Sequence, residues 1–187
     1  TQGVSSAASD VYKRQVIKGI ERCVRALSVP VIVKEVGAGI SGAAARKLLE
    51  AGVRHIDVAG AGGTSWAGVE LLRSTKRHMD VLRDVGIPTA QCVREVCTLR
   101  SEYAFTCIAS GGITSGYEAA KALALGADIA GAARPFLMCL EGRGEEALSV
   151  MIDEWKEQMR STMFVAGAAD LQAFSRVALR SPDGTLP

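Results

Sequence analysis

The chain has 187 residues, of which 48% are hydrophobic and 22% are charged, and its formal net charge is +2. This composition is that of an ordinary globular protein and argues against disordered, collagen-like and low-complexity classes. Because the net charge is small, we expect neither nucleic acid nor an anionic membrane as a partner, and a phosphate group would need a local site. The sequence shows neither a membrane-spanning apolar run nor a secretory signal pattern, so we expect a soluble, cytoplasmic protein.

The cysteines form an odd set without a C-x-x-C pair or clustered histidines, which predicts free thiols and argues against a disulfide framework or a zinc site. They are Cys23, Cys92, Cys97, Cys107 and Cys139.

The N-terminal segment differs from the rest of the chain. Residues 1–15 are rich in Ser and Ala, end in basic residues and show neither strand alternation nor a sustained helical stripe. They resemble appended sequence, so we predict a non-native leader over residues 1–15 and a folded domain over residues 16–187. From residue 16 the apolar positions follow helical spacing until Pro30, which predicts a first helix over residues 16–27.

Strand-like and helix-like segments then alternate along the chain. Residues 31–37 are a nearly continuous β-branched run, as expected for a strand buried on both faces of a parallel sheet. Further strands are predicted over residues 53–58, 104–109 and 128–132, with helices between them whose N-caps include Ser41 and Ser115 or Gly116. Only helices follow the fourth strand, over residues 135–140, 145–164 and 170–179. This order predicts a parallel α/β fold with a helical C-terminal cap.

The number of strands is small for the fold that this pattern suggests. A (β/α)8 barrel has eight strands in about 250 residues, whereas four strands are predicted here. The sequence therefore indicates either part of a barrel or a smaller α/β fold.

Ligands of parallel α/β folds bind at the carboxyl ends of the strands. The first predicted strand contains Lys34, a single cation in an apolar run, which needs a carboxylate partner such as Glu35 or Asp57, or an anionic ligand. The second strand ends at Asp57 and is followed by a glycine-rich loop over residues 60–64. Such glycines let the backbone approach a flat or phosphorylated ligand, and a flexible surface turn is the alternative interpretation.

The ends of the third and fourth strands form a pair. The third leads into Ser110-Gly111-Gly112-Ile113 before a helix start, and the fourth ends in small residues at 131–133. Small residues beside a helix N-terminus form the phosphate cradle of barrel strands seven and eight, in which backbone N–H groups bind the anion. Tight packing of small residues is the alternative. The cradle interpretation makes these strands five to eight of a barrel.

Three motifs carry a family resemblance: VIVKEVG at residues 31–37, DVAGAGGTSW at 57–66 and ASGGITSG at 109–116. Together they resemble the C-terminal half of the type 2, FMN-dependent isopentenyl-diphosphate isomerase family. The resemblance runs from residue 16 to residue 179 and includes AKALALGAD at 120–128. The combination of KEVG with GAGGTSW is specific, whereas SGG is shared by many phosphate-binding barrels.

The resemblance implies a partial FMN-binding (β/α) barrel over residues 16–187, from an enzyme that interconverts isopentenyl and dimethylallyl diphosphate in isoprenoid biosynthesis. It implies reduced FMN as the acid/base, Mg²⁺, NADPH as reductant and a homo-oligomeric full-length protein. No metal ligand or catalytic side chain is predicted in this chain. The implied FMN-binding residues are Lys34 at the flavin ring, Thr64, and, around the phosphate, Gly111, Gly112, Ile113, Ala132 and Ala133. Ala59 stands where the family often has serine.

The family's Gln-Glu pair for substrate and metal, and its Arg-Lys substrate clamp, belong to parts of the barrel that precede residue 16. We therefore expect the isolated chain to be catalytically inactive. Two alternatives stay open. One is another FMN barrel, either an α-hydroxy-acid oxidase, whose catalytic histidine is missing from residues 60–66, or an IMP dehydrogenase, whose Gly-Ser-x-Cys loop is missing. The other is an inactive half-barrel that only binds a phosphate-bearing cofactor.

Overall fold

The computed structural model describes residues 2–73 and 81–179, with side chains described from residue 14 onward. Strands and helices alternate along the described residues, as predicted. In chain order the elements are α1 (Gln2–Ala26), β1 (Ile32–Lys34), α2 (Gly42–Glu50), β2 (His55–Asp57), α3 (Trp66–Arg73), α4 (Thr89–Cys97), a 3-10 helix (Thr98–Ser101), β3 (Thr106–Ala109), α5 (Gly116–Ala124), β4 (Ile129–Ala130), α6 (Arg134–Val165) and α7 (Leu171–Phe174).

The four strands form one parallel sheet in the order β1-β2-β3-β4. Lys34 pairs with Asp57 across β1 and β2, and Asp57 pairs with Ile108 across β2 and β3. Because all strands run in the same direction, their carboxyl ends and the loops that follow lie at one edge of the sheet. The parallel α/β prediction is confirmed, and each strand is shorter than predicted.

The core lies between the sheet and the helices that connect its strands. Fully buried apolar residues come from β2, β3 and the turns beside them, and from α2 and α4; they include Ile56, Cys107, Leu49, Val93 and Val96. The α5 helix is mostly buried along its alanines and packs on α6. Burial of this apolar surface is the main stabilising contribution to the fold.

Two predicted N-caps are confirmed. The Ser41 hydroxyl accepts a hydrogen bond from the Ala44 N–H at 3.2 Å, and the Ser115 hydroxyl accepts one from the Glu118 N–H at 3.2 Å. Each bond satisfies a backbone donor of the first helical turn, which fixes where α2 and α5 begin.

The prediction that the first strand is buried on both faces is wrong. The β1 strand lies at an edge of the sheet, and its alternate residues are exposed, including Ile32 at 56% and Lys34. An edge strand has a neighbour on one side only, and no described element covers the side chains of Ile32 and Lys34. The continuous apolar run is therefore only partly used for packing within this chain.

The helix boundaries also correct two predictions. The first helix begins at Gln2 rather than residue 16. The origin of residues 1–15 as a leader stays a prediction. At the C-terminal side, α7 is shorter than residues 170–179.

The predicted break in the C-terminal helices is present inside α6. Gly144 has φ +82° and ψ −179°, which is not helical and separates the two helices predicted over residues 135–140 and 145–164. Lys76 and Arg77, between the second and third predicted strands, lie outside the described residues. Within the described part of the chain, the helices are too short or too polar to cross a membrane.

Candidate functional site

A cavity of about 570 Å³ lies at the carboxyl ends of the four strands. This is the location expected for ligands in parallel α/β folds, and the volume is within the range of small-molecule sites. The loops that follow β1, β2, β3 and β4 all contribute to its lining. All seven residues that the resemblance assigns to FMN line this one cavity: Lys34, Thr64, Gly111, Gly112, Ile113, Ala132 and Ala133.

The end of β1 brings Lys34 to the cavity without a carboxylate partner. The Lys34 ammonium donates a hydrogen bond to the backbone carbonyl of Glu35 at 2.7 Å. The Glu35 carboxylate instead accepts hydrogen bonds from the backbone N–H groups of Gly37 at 2.6 Å and Gly39 at 3.1 Å. An ion pair of Lys34 with Glu35 or Asp57 is therefore not present among the described residues. Lys34 is exposed, so its charge is available to an anionic group in the cavity.

The end of β2 is held by the buried Asp57, which is 8% exposed. One oxygen of its carboxylate accepts hydrogen bonds from the Ser110 hydroxyl at 2.6 Å and from the Ala59 N–H at 3.1 Å. Ala59 has φ +35°, a left-handed conformation that is strained for any residue with a Cβ. Asp57 therefore fixes both the strained turn after β2 and the first residue after β3.

The glycine-rich loop over residues 60–64 packs against the loop that follows β3. A Cβ on Gly111 would lie 2.1 Å from the carbonyl oxygen of Gly60, and a Cβ on Gly112 would lie 2.6 Å from the carbonyl carbon of Gly62. Gly111 and Gly112 also have φ values of +100° and +76°. The close approach that requires these glycines is therefore between two backbone segments of the protein. The approach of a ligand to the glycines of residues 60–64 stays a prediction.

Thr89 joins these loops and was not singled out by the sequence. It is the first residue of α4, yet its hydroxyl donates to the Gly111 carbonyl at 2.6 Å and lies 3.2 Å from the Ser110 carbonyl. Its backbone N–H donates to Ala61 at 3.3 Å. The only sequence signal was its place directly after Pro88, at a helix start.

Backbone N–H groups of the loops after β3 and β4 are candidate hydrogen-bond donors to an anion. Within residues 2–73 and 81–179, no atom accepts a hydrogen bond from the N–H of Gly112, Ile113, Ala132 or Ala133. Ala133 is the N-cap of α6, whose first turn contributes the partial positive charge of its dipole. Together these donors fit a phosphate group.

The segment after Ile113 is fixed by Glu118. Its carboxylate accepts hydrogen bonds from the Thr114 N–H at 2.6 Å and from the Thr114 hydroxyl at 2.8 Å. The bond from the Thr114 N–H is the main cause that lowers the pKa of Glu118, because it stabilises the charged carboxylate. The loop between β3 and α5 is thus held at both ends, by Thr89 and by Glu118.

The residues present fit FMN at this site. A parallel sheet whose strand ends carry backbone donors without a partner among the described residues, beside a helix N-terminus, is the arrangement expected of a partial α/β barrel that binds a phosphate group. The exposed cation of Lys34 lies at another part of the same cavity, where a flavin ring that becomes negatively charged on reduction would benefit from it. The chain belongs to the FMN-dependent dehydrogenase family, whose sequence model matches residues 2–181.

Relatives with similar sequences share one name. The isopentenyl-diphosphate delta-isomerase of Chlorobium luteolum is 48% identical over 172 residues, which cover 84% of this chain and 47% of that protein. The isopentenyl-diphosphate delta-isomerase of a Synechococcus strain is 44% identical over 180 residues, which cover 94% of this chain and 51% of that protein. The chain thus spans about half the length of the curated relatives that it matches.

Solved structures with similar folds include two oxidases. A lactate oxidase of Pediococcus acidilactici has a TM-score of 0.66 at 20% identity, covering 87% of this chain and 39% of its own. A mandelate oxidase with bound (S)-4-hydroxymandelic acid has a TM-score of 0.67 at 22% identity, covering 87% of this chain and 40% of its own. At this identity the likeness shows the fold, and it confirms a partial α/β barrel.

Proposed function

We propose that this chain is the FMN-binding part of an isomerase that interconverts isopentenyl diphosphate and dimethylallyl diphosphate. The observation that carries the proposal is that Lys34, Thr64 and the backbone of the loops after β3 and β4 all line one cavity. Local sequence alone does not require this convergence, because the residues come from four different strand ends. The names of the relatives support the same reaction.

Within this proposal the phosphate of FMN is held by the N–H groups of Gly112, Ile113, Ala132 and Ala133. The Gly111 carbonyl, which belongs to the same peptide unit as the Gly112 N–H, accepts a hydrogen bond from Thr89, so this donor is oriented before the anion binds. Lys34 is placed at the flavin ring, where its positive charge stabilises negative charge. Thr64 contacts the cofactor from the loop after β2. The four strands are then strands five to eight of the barrel.

When bound and reduced, FMN supplies the acid/base group that moves a proton between two carbons of the substrate. The chain's own contribution is to bind that group, to orient it and to limit water around it.

The remaining parts of the reaction lie beyond the residues described. Mg²⁺, NADPH and the diphosphate substrate are part of the proposal through the resemblance. Among the described residues no group of three or more His, Cys, Asp or Glu side chains is arranged to hold a metal ion, so no residue of this chain is assigned to Mg²⁺. A cytoplasmic location and a homo-oligomeric full-length protein are likewise proposed.

An α-hydroxy-acid oxidase activity is the second candidate, because the solved oxidases share the fold. Residues 60–66 contain no histidine to abstract a proton, whereas the isomerase reaction needs no such side chain. The isomerase is therefore the better-supported function.

The first test is binding of FMN and of riboflavin, which lacks the phosphate, by the purified 187-residue chain. Quenching of flavin fluorescence gives both dissociation constants. The proposal expects FMN to bind clearly more tightly than riboflavin. Equal affinities, or no binding of FMN, would contradict the phosphate cradle.

The second test concerns activity. The isolated chain with FMN, Mg²⁺ and NADPH is expected not to convert isopentenyl diphosphate. Adding the part of the Chlorobium luteolum relative that this chain does not match, which we propose is the N-terminal half of the barrel, is expected to give activity. Oxidation of lactate or mandelate by that assembly, without isomerisation, would instead support the second candidate.

A further inference from the structure

We propose that Thr89 is a positioning residue that sets the phosphate-binding orientation of the Gly111–Gly112 peptide. This inference rests on the proposed FMN site and adds a residue that does not itself line the cavity. Its basis is an interaction across 22 residues of sequence, the 2.6 Å hydrogen bond from the Thr89 hydroxyl to the Gly111 carbonyl.

The Thr89 hydroxyl is not occupied by its own helix. Pro88 is the N-cap of α4 and makes no side-chain capping bond, and Thr89 is the first helical residue. The hydroxyl therefore donates its hydrogen bond to the loop after β3 instead of interacting with the first turn of α4. Its second contact, 3.2 Å to the Ser110 carbonyl, is to the same loop.

The position of Thr89 is fixed from the other side by the loop after β2. A Cβ on Gly60 would lie 2.4 Å from the Thr89 Cα, and the Gly60 N–H donates to the Ser110 carbonyl at 3.0 Å. The loops after β2 and β3 and the start of α4 therefore meet at Thr89. Because Thr89 is closely packed at this point, its own position is well defined, and it can hold the loop after β3 in place.

The carbonyl of Gly111 and the N–H of Gly112 belong to one planar peptide unit and point in opposite directions. The hydrogen bond from Thr89 fixes the carbonyl, so it also fixes the direction of the N–H. That N–H is one of the donors without a partner among the described residues, and Gly112 lines the cavity.

This peptide needs an external anchor because both of its residues are glycines. Gly111 and Gly112 have φ values of +100° and +76°, and glycine reaches other conformations at low cost. Without the bond from Thr89, the Gly111 carbonyl has no hydrogen-bond donor among the described residues. Packing against Gly60 and Gly62 alone then holds the peptide unit, and the direction of the Gly112 N–H is less well fixed. The hydroxyl of Thr89 thus converts a permissive loop into a preorganised donor.

The test compares Thr89→Val with Thr89→Ser and measures FMN and riboflavin affinity of the 187-residue chain by fluorescence quenching. Thr89→Val keeps the side-chain shape and removes the donor, so FMN affinity is expected to fall about 2- to 10-fold, from the net worth of one hydrogen bond. Riboflavin affinity is expected to stay within about twofold, since it carries no phosphate to sense the peptide. Thr89→Ser keeps the hydroxyl and is expected to retain FMN binding.

Thr98→Val is the matched control. The Thr98 hydroxyl also donates to a backbone carbonyl, that of Glu95 at 2.7 Å, but it lies outside the cavity lining. This variant is expected to change neither affinity. Amide hydrogen exchange adds a readout that needs no flavin. The Gly60 N–H donates to the Ser110 carbonyl, which the Thr89 hydroxyl also contacts, so its exchange should speed up in Thr89→Val and not in Thr98→Val.

The outcomes separate this inference from the function on which it rests. If the unmodified chain does not prefer FMN to riboflavin, the proposed phosphate site fails and the role of Thr89 fails with it. If the unmodified chain prefers FMN but Thr89→Val binds it equally well, only the role of Thr89 is overturned. Equal losses of FMN and riboflavin affinity in Thr89→Val would show a general structural role and would also overturn it.

Discussion

Substitution of Gly111 by alanine tests whether the two loops at the site pack as closely as the structure shows. The added Cβ would lie 2.1 Å from the Gly60 carbonyl oxygen and 2.8 Å from the Gly60 nitrogen. Both neighbours are backbone atoms, so a side-chain rotation cannot relieve the overlap. The loops after β2 and β3 must separate, or Gly111 must change its conformation.

The expected cost has two parts. The φ value of +100° is strained for alanine, at about 1 to 3 kcal/mol for a residue in such a region. Separation of the loops also breaks the 3.0 Å hydrogen bond from the Gly60 N–H to the Ser110 carbonyl, worth about 1 kcal/mol. The free energy of unfolding is therefore expected to fall by about 2 to 4 kcal/mol, a large part of the stability of a typical domain.

The assay is urea unfolding of the flavin-free 187-residue chain, followed by far-UV circular dichroism. Gly142→Ala is the control, because Gly142 lies in α6 and a Cβ there meets no atom within 4 Å. It is expected to leave the unfolding free energy unchanged or to raise it by up to about 1 kcal/mol, through higher helix propensity. A Gly111→Ala chain as stable as the unmodified one would show that the loops are not packed in this way.

Three further measurements address other contacts. Ser110→Ala removes one of the two donors to the buried Asp57 carboxylate and is expected to lower the free energy of unfolding in urea by about 1 to 3 kcal/mol. Ser101→Ala, which removes an exposed hydroxyl, is the control. Equal effects of the two substitutions would refute the role of Asp57. Glu118→Gln tests the lowered pKa of this carboxylate. The stability that the charged carboxylate contributes is present above its ordinary pKa of about 4.3 and is lost as the pH falls through the lowered value. The variant should therefore lose less stability on acidification than the unmodified chain, and identical acid unfolding profiles would contradict this. Iodoacetamide should label the exposed Cys23 first. The buried Cys92, whose thiol pKa is raised by burial, should be labelled only in denaturant, as measured by mass spectrometry. Rapid labelling of Cys92 in the native chain would contradict the buried position of this side chain.

The sequence predicted the parts of this fold that depend on local patterns. Alternating β-branched and helical segments give the parallel sheet, and Ser41 and Ser115 cap helices where short-range spacing places them. The carboxyl ends of the strands were predicted as the ligand site because ligands of parallel sheets bind there. These predictions rely on interactions within a few residues, which a single sequence displays directly.

The contacts that organise the site join residues far apart in the sequence. Ser110 and Asp57 are separated by 53 residues, and Thr89 and Gly111 by 22. No periodicity or cap pattern connects such pairs, so Thr89 could be recognised only from the folded arrangement. The exposure of Lys34 was mispredicted for a related reason, because burial of a strand depends on its neighbours in the sheet rather than on its own residues.

The two ends of the cavity differ in how completely this chain builds them. The end that we propose for the phosphate is held by backbone contacts between the loops after β2 and β3, with Thr89 and Glu118 as anchors. The end near Lys34 is formed by an edge strand whose Ile32 and Lys34 side chains are exposed. Preorganised donors contribute more to affinity than exposed groups, which must be desolvated and ordered on binding.

In the isolated chain, the phosphate group should therefore provide most of the affinity for FMN, and the flavin ring should provide little. It follows that inorganic phosphate competes with FMN for the isolated chain, whereas Lys34→Met leaves FMN binding within about threefold of the unmodified chain, because an exposed charge is strongly screened. Fluorescence titrations of FMN at several phosphate concentrations measure the competition, with chloride at matched ionic strength as control. If phosphate does not compete, or if Lys34→Met abolishes FMN binding, the ring end rather than the phosphate end dominates recognition, and the asymmetry inferred from the loop contacts is wrong.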